Sequence, residues 1–122
     1  MDRNLELVKD FIAAWNRYDL DAVEAMVTPD IVYHNIPMEP CIGRVAFRTF
    51  IDSFKAASAT WETHSIAATG NSVLTERTDK FVFGDGSTMT IRVMGAFEIA
   101  GGKITKWRDY FDPAEAVPRR SS

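Results

Sequence analysis

Apolar residues recur every third or fourth position through the first half of the chain and close to every second position through the second half. The pattern predicts helices followed by an antiparallel meander. Leu5, Val8, Ile12 and Trp15 share one helical face over about 2–18, and Asp2 stands ahead of them as a cap. A shorter helix is predicted after Asp19, turning Val23, Met26 and Val27 inward and closing at Pro29. Residues 31–35 read as a short strand, broken by Pro37 and Pro40. Phe47, Phe50, Ile51 and Phe54 restore helical spacing over 44–57.

Strands follow at 61–69, 73–83, 89–99 and 103–111, separated by Gly70-Asn71, Asp85-Gly86 and Gly101-Gly102. Helices first and strands after predict an α+β domain, one twisted sheet wrapped against its helices. Sorting each strand by face exposes an anomaly. Met89, Ile91, Val93, Phe97 and Ile99 share one face, opposite Thr90, Arg92 and Glu98. Val73, Phe81 and Phe83 share theirs with Arg77 and Asp79, and Trp107 and Phe111 share theirs with Asp109. Tyr33 and Asn35, two apart, also fall on one face.

An arginine and two aspartates therefore point toward the apolar side of the sheet, a costly placement unless they are paired. A buried Arg–Asp pair also serves to fix strand register, so this pattern alone leaves glue and chemistry both open. Charge arithmetic leans toward chemistry. One arginine between two carboxylates leaves a surplus negative charge, and one bound proton removes it. The neutral set then holds a general acid beside a general base, titrating as a unit.

Composition narrows the field. The 122 residues carry 46% hydrophobic and 25% charged side chains, the balance of one folded domain with no room for a second core. A net charge of −3 gives no nucleic-acid footprint. Cys41 is the only cysteine, which excludes an internal disulfide and a cysteine zinc cluster and marks an inert thiol rather than a nucleophile. His34 and His64 have no metal-site spacing, and His34 alternates away from Tyr33 and Asn35. No glycine pattern matches a phosphate or dinucleotide loop. The N-terminus is charged from Asp2 and no apolar run is long enough for a secretion signal or membrane span, so a small cytosolic domain is expected.

Tyr33-His34-Asn35, Thr75-Glu76-Arg77-Thr78-Asp79 and Gly102-Lys103-Ile104-Thr105-Lys106-Trp107-Arg108-Asp109-Tyr110-Phe111-Asp112 resemble the limonene-1,2-epoxide hydrolase family. That family belongs to the wider NTF2-like (SnoaL-like) group of cone-shaped α+β folds, and the likeness runs over about 5–112. The resemblance implies a single domain over 1–122, with 113–122 as a polar tail and Arg119-Arg120 at its solvated end. It also implies one-step hydrolysis of an epoxide to a vicinal diol with no covalent enzyme intermediate, no metal and no organic cofactor. By the same resemblance Asp109 is the base, Tyr33 and Asn35 hold the water, and Asp79 is the acid. Arg77 bridges the carboxylates and Trp107 orients Asp109.

Phe54, Trp61, Phe81, Ile91, Val93, Met94, Phe97 and Phe111 are the candidate walls for a small apolar epoxide. Met94 and Ile104, on the other face of the sheet, are candidates for a homodimer contact, which the family also uses. Two competing classes share the scaffold: a ketosteroid-isomerase-like proton shuttle and a non-catalytic small-molecule-binding protein. An isomerase needs one carboxylate base and a separate acidic oxyanion donor, not an arginine wedged between two aspartates.

Overall fold

The Asp2 carboxylate accepts from the amides of Asn4 and Leu5 at 2.9 and 3.1 Å, satisfying two of the free donors of α1 (Arg3–Asn16). In this computed structural model, which describes residues 2–120, α1 buries Val8, Phe11, Ile12 and Trp15 along one stripe. Asp19 caps α2 (Leu20–Ala25) through the Ala22 amide at 3.1 Å. The chain then enters β1 (Val27–Asn35). Val27 and Pro29, predicted to belong to the helix, lie instead in this strand. Pro29 falls where the β1 register shifts between Val27 and Val32, so its missing N–H breaks no regular ladder.

A two-residue strand that the pattern does not signal, β2 (Cys41–Ile42), pairs with β1, and α3 (Arg44–Ser53) follows. The helix stops earlier than predicted because Lys55 takes a left-handed conformation, φ 51°, that turns the chain straight into β3 (Ala56–Thr69). That strand consequently begins before Trp61. β4 (Ser72–Phe83), β5 (Thr88–Ala100) and β6 (Lys103–Tyr110) complete the meander. The Asp85 carboxylate accepts from the Ser87 amide at 2.9 Å in the β4–β5 turn, and Gly86 supplies its φ of 86°.

The six strands run in the order β2-β1-β6-β5-β4-β3, antiparallel throughout except for the parallel β1–β6 pair. The α1 helix lies across β3 and β4, and α3 across β1, giving helices packed on one curved mixed sheet. Trp107 is fully buried at the centre, stacked on Tyr33 at 4.2 Å and on Phe97 at 5.6 Å between ring centroids.

Strict alternation fails once in β6. The register shift between Glu98 and Ile99 leaves Thr105 as an extra residue and turns Ile104 into the core. Ile104 is therefore no surface contact, whereas Met94 is exposed on the outer face beside Leu74 and Tyr110. Residues expected as a polar tail fold back on the domain. Pro113–Glu115 form a 3-10 turn, Glu115 accepts from the Arg92 amide at 2.9 Å, and Arg119 pairs with Thr88. Ser121 and Ser122 lie outside the described residues. Among the described residues no helix is long and apolar enough to cross a membrane.

Candidate active site

The parallel β1–β6 pair sets Tyr33 beside Trp107 and Asn35 beside Asp109. One rung of the sheet runs on from there: Asp109 opposes Gly95, and Gly95 opposes Thr75. Alternation along β4 then places Thr75, Arg77 and Asp79 on the same inward face. The Arg77 Nε donates to Asp79 Oδ1 at 3.1 Å, and Nη2 donates to Asp79 Oδ2 at 2.9 Å and to Asp109 Oδ2 at 3.0 Å. Nη1 donates to Thr75 Oγ1 at 3.0 Å. The Trp61 ring covers the guanidinium at 4.3 Å from its centroid. Trp107 Nε1 donates to Asp109 Oδ1 at 2.7 Å, and the Tyr33 hydroxyl donates to Asn35 Oδ1 at 3.1 Å.

Burial makes this geometry electrostatically consequential. Arg77 is 1% exposed, Asp79 4% and Asp109 5%. Burial alone would weaken the Arg77 charge, but the neighbouring Asp109 and Asp79 carboxylates outweigh it and hold the guanidinium cationic. Burial pushes the Asp79 carboxyl up to about 6, against the pull of Arg77, and the Asp109 charge pushes the same way. Burial first, and the Asp109 charge second, raise the Tyr33 phenol well above its usual range, keeping its proton on oxygen. Burial thus favours the neutral form of Asp79 more than water does.

These groups meet a cavity of about 150 Å³ whose lining is mostly apolar. Asp79, Asp109, Tyr33 and Asn35 all reach it, while Arg77 lies behind the two carboxylates. A volume of roughly 150 Å³ accommodates a benzene-sized molecule. The site sets two carboxylates, a phenol and an amide against one apolar chamber.

The sequence matches the limonene-1,2-epoxide hydrolase catalytic domain over residues 2–118. This chain belongs to that family. It is 36% identical over 106 residues to epoxide hydrolase EphG of Mycobacterium tuberculosis, covering 86% of this chain and 70% of that protein. The solved structure of an M. tuberculosis LEH-like epoxide hydrolase superposes with a TM-score of 0.80 at 34% identity, over 93% of this chain and 86% of the other. An NTF2-like protein of unknown function from Burkholderia pseudomallei shares the fold, with a TM-score of 0.82 at 21% identity over 94% and 95% of the two chains.

Within this limonene-1,2-epoxide hydrolase domain, Phe54, Trp61, Phe81, Ile91, Val93 and Phe111 line the cavity. Met94 does not: it sits on the opposite face of β5, 53% exposed. Phe97 does not either, because Trp107 and Phe11 cover its ring and leave no face toward the chamber. Trp15, Phe50, Met89, Met38 and Ala116 complete the lining. Trp15 and Phe50 carried a signal as inward helix positions, whereas Met38 and Ala116 come from irregular segments that no periodicity locates. Thr75 shares the Arg77 face by alternation, and a glycine inside a strand marks close approach at Gly95.

His34 faces away from the site, with Nε2 at 2.8 Å from the Met38 carbonyl, and His64 meets Thr78 Oγ1 at 2.7 Å away from the cavity. Among the described residues no group of three or more His, Cys, Asp or Glu converges to hold a metal. Burial pushes the Cys41 thiol up, away from the thiolate form.

Proposed function

We propose that this protein is an epoxide hydrolase that adds water in one step to a small apolar epoxide, giving a vicinal diol. The observation that carries the reading is that both carboxylates of one buried arginine open onto the same apolar chamber. Asp109 accepts a proton from the attacking water, which Tyr33 and Asn35 hold in line with an epoxide carbon. Asp79, protonated, gives its proton to the ring oxygen as the C–O bond breaks. Trp107 and Arg77 each occupy one oxygen of Asp109, and every carboxylate oxygen keeps a second lone pair for the water.

The proton balance favours the arrangement. Before the step, Asp79 is neutral, Arg77 positive and Asp109 negative; afterwards the two aspartates have exchanged states. The total charge in the buried site is zero throughout, so no step requires a new uncompensated charge in a low-dielectric interior. Holding water between three polar partners also removes orientational entropy from the barrier. The lone Cys41 supports a reducing, cytosolic setting. Exposed Leu74, Met94 and Tyr110 on the outer sheet face support a homodimer joined there.

Single-turnover hydrolysis of a panel of apolar monocyclic epoxides in oxygen-18 water tests the reading. Label in the diol on the first turnover is the expected result. Unlabelled first-turnover diol would point to an enzyme-bound ester and overturn the one-step mechanism. No turnover of any epoxide, with tight binding of an unreactive apolar ligand or with double-bond migration in an enone, would overturn the activity itself.

A further inference from the structure

Arg77 stems from β4 and Asp109 from β6, with β5 between them. Adjacent strands stand roughly 4.8 Å apart, so the two side chains start two strand spacings apart and must meet above β5. They meet over Gly95. A Cβ at that position would stand 2.3 Å from Arg77 Nη1 and 2.8 Å from both Asp109 Oδ1 and Thr75 Oγ1. The cationic head thus fills the volume that any other side chain on β5 would occupy.

The Nε and Nη2 fork on the two Asp79 oxygens sets the roll of the planar head, and Thr75 closes the corner that neither carboxylate engages. This threonine is 1% exposed, its Oγ1 takes Nη1 at 3.0 Å, and its own hydroxyl proton points to the Gly95 carbonyl at 3.4 Å. The oxygen therefore presents a lone pair to the arginine, and Nη2, on the opposite corner, faces Asp79 and Asp109 together. Neither Thr75 nor Gly95 lines the cavity, so neither touches substrate.

We infer that Thr75 and Gly95 are positioning residues for the acid–base centre: the glycine opens the space over β5 in which the guanidinium lies, and the threonine hydroxyl holds Nη1, the nitrogen neither carboxylate engages, so that Nη2 stays between Asp79 and Asp109. This role rests on the reading of Asp79 and Asp109 as acid and base. Without the hydroxyl, Nη1 turns toward Asp109 Oδ1, which crowds the same point, and the grip on Asp79 loosens.

The test compares Thr75→Val, which keeps volume and strand propensity, with Thr75→Ser, which keeps the hydroxyl. Single-turnover rate and KM are measured on an apolar monocyclic epoxide, and the Asp79 carboxyl is titrated by carbon-13 NMR in the absence of substrate. Thr75→Val should lower kcat roughly 10²-fold, the scale of a 1 Å misplacement, with KM unchanged. Its Asp79 titration should move upward, and Thr75→Ser should restore both readings. Gly95→Ala should lower kcat at least as far.

Wild-type kcat with an unmoved or lowered Asp79 titration in Thr75→Val overturns the inference, as does a Thr75→Ser variant no better than the valine. If the wild type turned over no epoxide, the proposed activity would fall, while the titration would still decide the positioning role.

Discussion

Replacing Asp79 by Asn fixes the side chain in the neutral state, toward which burial shifts it. With Asp79 protonated, Arg77 is balanced by Asp109 alone, and the amide reproduces that balance at every pH. The carboxyl sits near 6 in the folded protein against 3.8 as its ordinary value, a difference of about 2 units. Each unit corresponds to about 1.4 kcal/mol, so roughly 3 kcal/mol of folding stability is linked to this one proton.

The sign follows from where the proton binds more tightly. Because the folded value is raised, the contribution is fully present below pH 3.8 and is lost as the pH rises through about 6. Urea unfolding of wild type and Asp79→Asn at pH 4 and pH 8 measures it, since other titrating groups common to both proteins largely cancel. The variant should gain about 2 kcal/mol on the wild type between the two conditions while losing epoxide turnover at both. A stability difference that stays constant from pH 4 to pH 8 would refute the assignment of the buried proton to Asp79.

Four further outcomes follow from the same geometry. The kcat/KM of the wild type should fall above an apparent pKa near 6 as Asp79 loses its proton, and a profile flat from pH 5 to 8 would count against the acid role. Trp107→Phe keeps the ring stack on Tyr33 and Phe97 but removes the 2.7 Å bond to Asp109, so kcat should drop about 10–100-fold while circular dichroism is unchanged. Phe54→Ala removes the ring stacked on Phe81 at 5.4 Å; turnover should shift toward bulkier epoxides in a competition assay, at a stability cost of about 2 kcal/mol. Met94→Asp should convert a dimer to monomer in sedimentation without altering the cavity on the other face, and an unchanged mass would place any self-association elsewhere.

Period-two alternation was enough to bring Arg77, Asp79 and Asp109 to one face, because side-chain direction along a strand depends only on local backbone geometry. The Asp2 cap and the run of turns were equally local, and all stand where the residue types place them. Alternation misled at Ile104, where a bulge caused by pairing with β5 reverses the face. Pro29 misled in the same way: whether a proline ends a helix or sits within a strand depends on the ladder beside it, and its neighbour β6 comes from the far end of the chain.

The cavity wall was readable only in part. Inward-facing residues are all alike in sequence, and packing alone decides that Phe97 is covered by Trp107 and Phe11 while Val93 faces the chamber. Local chemistry thus set which side chains turn inward and what charge they bring. Which of them meet each other, which line empty space and how far the Asp79 carboxyl is raised were decided by strand order and desolvation. Those depend on contacts between residues distant in the chain, as when Arg77 and Asp109 meet over Gly95.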